Sequence, residues 1–232
     1  FNRAVADSWH ELPDEFFDVL SCALEIARDS EGAYDPTVGA LVEAWGFGPA
    51  QQAHAIPADA TLSAVRVDAG WQRLSPRRET SSALQPGRGQ LDLSAIAKGY
   101  GVDALAGCLD GFGVQHYLVG IDGEMRAKGS KPGGQAWAVA IEKPLRHLRD
   151  VMGVMELADA AIATSGDYRH WFELAGQHYA HTMHPVRGRP LLQWWVDALA
   201  RGRVVRRAQQ PRDTVNQKHP AHHAGNAQSP QR

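Results

Sequence analysis

The residues best able to do chemistry are concentrated in residues 91–103, LDLSAIAKGYGVD, where Asp92 and Asp103 flank a lone cation, Lys98. Between them Ser94, Ala95, Ala97 and Gly99 leave the backbone uncovered, so a ligand could approach main-chain N–H and C=O groups closely. A strand that ends in such a bend and feeds a helix presents amides and a favourable dipole to an anion. The stretch contains neither G-x-x-x-x-G-K-[ST] nor G-x-G-x-x-G, and an ordinary strand-to-helix connection with a surface lysine fits the same residues. Histidine chemistry lies further on, at His178, His181 and His184. Their i, i+3, i+6 spacing does not share one face of a strand, and H-E-x-x-H is absent, so a single general base fits better than a zinc site. A third region, GAYDPTVGALVEAWGFGPA, offers Tyr34, Trp45 and Phe47 to a flat ligand, although core packing is the better account of Trp45 and Phe47.

These groups need elements to hold them. Asp14 and Glu15 after Pro13 start a helix whose buried face is Phe16, Phe17, Leu20, Leu24 and Ala27, ending at Gly32. Asp35 ahead of Pro36 marks a turn or helix cap. Residues 51–63 read as a polar linker with a short helix, and 65–74 and 82–85 as strands of an antiparallel meander. The helix following the 91–103 bend runs on to Gly111 and Gly113. HYLVGIDGEMRAKG and AWAVAIEKP read as two strands of a hairpin across the turn at 129–134, and Asp122 and Glu124 stand beside Gly120 and Gly123, where either a β-bulge or a ligand site would explain the glycines. Residues 151–157 and 160–164 continue the strand pattern, a turn starts at Ser165 or Asp167, and a Pro-x-x-Gly turn follows His184.

With 232 residues, 44% hydrophobic and 22% charged, the chain is long enough for one or two domains with a substantial core. No window approaches the roughly 20 apolar residues of a membrane span. Cys22 and Cys108 read as small apolar helix residues and not as a disulfide framework or thiolate zinc site. From Arg201 onward seven Lys/Arg face one acid, leaving 17 basic and 25 acidic residues in the body. Residues 206–232, rich in Gln, His, Pro and Arg, are expected to be disordered, and non-specific stickiness accounts for this basic tail better than specific nucleic-acid recognition.

Five blocks in order, FN at the start, GAYDPTVGALVEAWGFGP, LDLSAIAKGYGVD, YLVGIDGEMRAKG with WAVAIEKP, and TSGDYRHWFELAGQHYAHTMHPVRGRP, make the chain similar to the FAD:protein FMN transferases, the ApbE-type flavin transferases. The resemblance covers roughly residues 1–191. It implies an α+β, T-fold-like architecture of antiparallel sheets with packed helices over residues 1–192, followed by an atypical tail at 193–232. It further implies that FAD is the substrate, that Mg2+ assists, that FMN is transferred to a threonine hydroxyl of a partner such as a redox-pump subunit, and that AMP leaves. The expected setting is the periplasmic face of the inner membrane, as a lipoprotein or exported protein. Carried over onto this chain, the flavin contacts fall on Asn2, Ala33, Tyr34, Asp35, Asp92, Lys98 and Met183, the metal-binding backbone carbonyl on Ala95, and the base that activates the acceptor threonine on His181.

The sequence also departs from the family pattern. His184 stands where an Asp usually precedes the proline. The helix with Asp-x-x-x-Thr that completes the family's metal site would place its Asp near Gln209, while Asp197 opens a similar DALA that lacks both the preceding strand and the threonine, Arg201 standing in its place. The chain, starting at Phe1, therefore reads as a piece lacking its N-terminal segment and the usual C-terminal metal helix, with the tail consistent with a shifted reading frame. A non-catalytic FAD-binding protein and an inactive fragment are the alternatives to an active transferase.

Overall fold

The computed structural model describes residues 1–49, 54–145, 148–164 and 170–192. The expected turn at Ser165 or Asp167, and the expectations about 193–232, including Asp197, Arg201 and Gln209, lie outside the described residues.

Helix α1 (Asp14–Asp29) forms where the pattern places it, burying Phe17, Leu20, Leu24 and Ala27 on one face while Phe16, expected among them, is only partly buried, and carrying Asp14 and Glu15 in its positive first turn. It stops one turn before Gly32. Glu31 takes a left-handed φ of 53° and its N–H donates to Arg28 O, while Gly32 N reaches Ala27 O at 2.8 Å, the paired bonds of a Schellman end. The helix covers an antiparallel sheet of order β1-β3-β2, made of β1 (Ser8–Glu11), β2 (Ser75–Arg77) and β3 (Ser82–Gln85). Leu12, Phe17, Leu20, Leu24, Leu74 and Ala83 form the core between them. Complete burial of a side chain such as Leu20 stabilises by roughly 1.5–3 kcal/mol.

Short helices α2 (Gly39–Ala44) and α3 (Asp59–Val67) pack on the hairpins of β9 (Trp171–Leu174), β10 (Gln177–His184) and β11 (Arg189–Leu192) through Leu41, Trp45, Leu62, Phe172 and Met183. Residues 65–74 are therefore not the strand their alternation suggests. Leu62 is buried and Val65 packs three residues on against the same cluster, so helical spacing prevails until Gly70, at φ 124°, turns the chain.

Helix α4 (Ser94–Gly111) lies on β4 (Tyr117–Ile121) and β5 (Glu124–Lys128), burying Val102 and Ala106. Gly101 permits the approach, since a Cβ there would stand 3.0 Å from Ile121 Cδ1. The run read as one strand is two. Asp122 (φ 45°) and Gly123 (φ 102°) form a two-residue turn with both central residues in the positive-φ region, and β4 pairs with β5 across it. The expected partnership of β5 with β6 (Trp137–Glu142) gives way: β5 pairs with β8 (Ala161–Ile162), and β6 pairs with β7 (Val151–Leu157). Ala127, Val139 and Leu157 form the core of this half. Cys22 is half-buried on α1, but Cys108 is exposed on α4, so only the first packs as expected, and no disulfide joins them.

The strand expected before α4 is absent as well. Gln90 makes one parallel bridge to Val38, after which Leu91 N and O are taken by the Asn2 side chain and Asp92 N by Pro36 O, leaving a neighbouring strand nothing to pair with. Gly39 sits against this junction, where a Cβ would fall 2.7 Å from Gln90 O. Gly39→Ala is expected to destabilise the fold by about 1–3 kcal/mol. Gly107→Ala, in an α4 position with open space around it, should stabilise by roughly 0.5–1 kcal/mol. Urea midpoints of both variants check the pair, and equal midpoints would contradict the close approach at Gly39.

Candidate active site

The site is assembled around the junction of residues 33–39 with 90–98. Asp35, buried, is a knot: its Oδ1 accepts from Thr37 N (2.8 Å) and Thr37 Oγ1 (2.6 Å), and its Oδ2 accepts from Trp71 N at 3.3 Å. Thr37 Oγ1 in turn accepts from Gly70 N at 2.6 Å. The turn expected at Asp35 thus forms, and it fastens the wall to the 70–71 loop. Ala33 is exposed beside it. Tyr34 hangs from the end of α1, its N–H donating to Ser30 Oγ at 3.1 Å, and its hydroxyl is buried without a hydrogen-bond partner. Burial, and then the negative charges of Asp92, Asp35 and the nearby Cys22, push the Tyr34 phenol up to about 12.

Asp92 faces the same space. Its N–H donates to Pro36 O at 2.8 Å and its Oδ1 accepts from Ser94 N and from the Ser94 hydroxyl. Ile96 N and Ala97 N both donate to Leu93 O. The amides of Ser94, Ile96 and Ala97 at the start of α4 are thus satisfied from within the chain, with Asp92 supplying the negative charge the dipole favours, so the open anion-binding N-terminus that the small residues suggest is already largely spent. Ala95 is exposed on that turn. Asn2 pins the junction from outside, exchanging hydrogen bonds of 2.9 and 2.8 Å with Leu91 O and N. An open groove of about 410 Å3 lies here, lined by Phe1, Asn2, Arg3, Phe16, Leu91 and Leu93.

Lys98, one turn along α4, does not pair with either flanking aspartate. Its Nζ stands 3.0 Å from Glu124 Oε2 and 3.6 Å from Asp122 Oδ2, at the tip of the β4–β5 hairpin, while Asp103 takes Arg126 at 2.7 Å. Burial alone would lower the Lys98 ammonium, but the close approach and charge of Glu124, followed by Asp122, outweigh it and hold it above the ordinary lysine value.

The remaining two candidates lie on β10. The register of β10 against β11 shifts between Tyr179, opposite Leu192, and Met183, opposite Pro190, so residues 180–182 face the single residue 191. This bulge explains why the buried residues Ala180 and Met183 are three apart instead of two, and it re-aims His181. Met183 is a core residue beside Leu41 and Trp45. His181 Nδ1 lies 3.2 Å from His170 O. A carbonyl can only accept, so in this contact Nδ1 carries a proton. His178 sits 3.6 Å from Glu173 and His184 Nδ1 accepts from Arg187 N at 3.5 Å, so the three histidines have separate partners. Among the described residues no three His, Cys, Asp or Glu side chains gather to hold a metal.

The structure therefore brings Asn2, Ala33, Tyr34, Asp35, Asp92 and Ala95 to one junction with Lys98 a turn away, while His181 and Met183 lie apart on β10, which packs on α2 and α3 through Met183, Leu41 and Leu62. Trp45 and Phe47 belong to the core: Trp45 is buried and donates Nε1 to Gly188 O, and Phe47 packs on Phe172. The sequence reading missed two partners, Thr37 for Asp35 and Glu124 for Lys98. The Asp-Gly pair at 122–123 was the available signal for the second, because a two-residue hairpin turn puts residue 124 beside the start of α4.

The profile of the ApbE family matches residues 1–198, and the chain belongs to that family. It is 41% identical over 191 residues to the FAD:protein FMN transferase of Vibrio cholerae, covering 82% of this chain and 57% of the relative. Against the same-named protein of Salmonella typhimurium it is 37% identical over 194 residues, covering 82% and 55%. Its fold matches the crystal structure of the Pseudomonas stutzeri flavinyl transferase ApbE in its apo form, with a TM-score of 0.72 and 38% identity over 83% of this chain and 59% of that one. The flavin transferase ApbE of V. cholerae gives the same TM-score at 37% identity, over 82% and 60%. The chain thus spans less than two thirds of the length of these relatives.

Tyr34 provides a direct check of the junction. Because its folded pKa is raised above the unfolded value, its contribution to stability is complete below pH 10 and is lost as pH rises toward about 12. Tyr34→Phe should remove one tyrosinate absorbance step near pH 12 and flatten the loss of stability across that window; a step near pH 10 would show the hydroxyl to be solvated.

Proposed function

We propose that this chain is a flavin transferase that moves FMN from FAD to a threonine hydroxyl of a target protein, releasing AMP. The observation that carries the reading is the buried, unpartnered Tyr34 hydroxyl beside Asp92, on a wall fastened to the bend that opens α4. A buried hydroxyl without a partner is costly, and a ligand heteroatom at that place would satisfy it. The FAD:protein FMN transferase names of the relatives support the same reading.

In the proposed reaction the acceptor threonine Oγ forms a bond to the FMN phosphorus while the bridging P–O bond breaks and the AMP phosphate departs. His181 Nε2 takes the hydroxyl proton, its Nδ1–H held by His170 O. Lys98 supplies fixed positive charge toward the pyrophosphate, and Asn2, Ala33, Tyr34, Asp35, Asp92 and Met183 shape the flavin side. Charge neutralisation and alignment carry most of the work in phosphoryl transfer. A Mg2+ requirement belongs to the proposal through the Ala95 carbonyl, but the described side chains do not compose a magnesium site. The partner is a protein with an acceptor threonine of the redox-pump subunit type, with no specific nucleic acid involved, and the setting is the periplasmic face of the inner membrane. None of the described helices is long and apolar enough to cross a membrane.

The test is incubation of the chain with FAD, Mg2+ and a domain bearing the acceptor threonine, followed by mass spectrometry of the domain and assay of AMP. Covalent FMN and stoichiometric AMP are expected. Bound FAD without covalent product would favour the binding-only alternative. His181→Ala should lower transfer by roughly 10²–10⁴-fold while sparing FAD binding, and unchanged transfer would refute the assigned base.

A further inference from the structure

We propose that Glu124 is a positioning residue that holds the Lys98 ammonium in place for an anionic ligand, with Asp122 as the displaceable second partner. The inference rests on the functional reading in one respect, that Lys98 faces the FAD pyrophosphate. The two carboxylates differ in what surrounds them. Glu124 approaches Lys98 Nζ to 3.0 Å with a side chain only 14% exposed, whereas Asp122 stands at 3.6 Å and is 82% exposed. Lys98 itself is 38% exposed, so one side of the ammonium is held and another is open.

Backbone features fix Glu124 there. It follows the Asp122–Gly123 turn directly, pairs across the hairpin with Ile121, and lies on the strand pair against which Gly101 lets α4 close. Among the described residues the buried Glu124 Oε2 has no partner besides Lys98 Nζ, 3.0 Å away, and this charge-assisted contact engages one side of the ammonium, which keeps hydrogens for a third partner. A poorly screened, half-buried carboxylate holds its cation more firmly than an exposed one. Asp122, in open solvent at the turn, can yield to a phosphate oxygen with little loss. The other charged groups nearby are committed elsewhere: Asp103 on the same helix pairs with Arg126 of β5.

The arrangement makes a counterintuitive prediction. Removing a negative charge beside a cation should strengthen anion binding if electrostatics alone matters, and weaken it if Glu124 acts by positioning. Glu124→Gln, which keeps the shape, is expected to bind FAD roughly tenfold more weakly at neutral pH, as when a single hydrogen bond to a charged group is broken. Glu124→Asp, which keeps the charge but shortens the reach, should also bind more weakly. Asp122→Asn should bind FAD as well as or better than wild type. Equal or tighter FAD binding by Glu124→Gln, measured by flavin fluorescence, would overturn the proposal. A ligand-free measurement separates this from the functional reading: the Lys98 ammonium, followed by NMR of lysine 13Cε and assigned with Lys98→Gln, should titrate at lower pH in Glu124→Gln than in wild type. An unchanged titration would overturn the coupling. If wild type binds no FAD at all, the functional reading and the ligand half of this proposal fall together, while the titration still decides whether Glu124 holds Lys98.

Discussion

Two backbone hydrogen bonds, Asp92 N to Pro36 O at 2.8 Å and Gly39 N to Gln90 O at 3.0 Å, tie two stretches more than fifty residues apart into one surface. On one side of this seam the chain has just left α1, and on the other it is about to enter α4. Each such bond is worth only about 1 kcal/mol net, yet together they decide which side chains share a space. Tyr34 and Asp92 become electrostatic neighbours because of them. Asn2 reinforces the seam from the N-terminal segment, and the Gln85 side chain reaches both Phe1 O and Gly89 O from the adjoining sheet.

The seam also changes how an anion can be recognised. A helix N-terminus preceded by small residues suggests bare amides, but Asp92 and Leu93 occupy three of the first four in α4, those of Ser94, Ile96 and Ala97. Positive charge must come from a side chain, and Lys98 is kept charged by the hairpin tip. That hairpin is placed in turn by a glycine on each partner, Gly101 on the helix and Gly123 in the turn. Binding chemistry therefore depends on packing between α4 and β4–β5 as much as on the residues of the bend itself.

Much of this was legible in the sequence. The apolar spacing of α1, the long α4 and the short β3 follow directly from residue order. Residues 65–74 were misread because an alternating V-R-V pattern over so few residues fits either period, and packing with Leu62 and the Phe172 cluster settled it. The strand before α4 failed for another reason: a distant side chain, Asn2, captured the amide and carbonyl a neighbouring strand would have used. At the site, Tyr34, Asp35, Asp92 and Lys98 could be named from motifs. Thr37 could not, since its role exists only once the loop at 70–71 has folded back, and Glu124, marked in the sequence by the Asp-Gly pair before it, could not be matched to Lys98 until the hairpin tip lay on α4. The bulge that re-aims His181 leaves no mark in the sequence beyond the spacing of Ala180 and Met183.

The central claim is that flavin nucleotide binds across this seam. Hydrogen exchange of the intact chain with and without FAD measures it directly. Added protection is predicted in residues 33–39 and 90–98, with a second patch in β10 around His181, and little change in the sheet of β1, β2 and β3. Protection confined to α1 and β2, or no change along 33–39 and 90–98 under saturating FAD, would contradict the account.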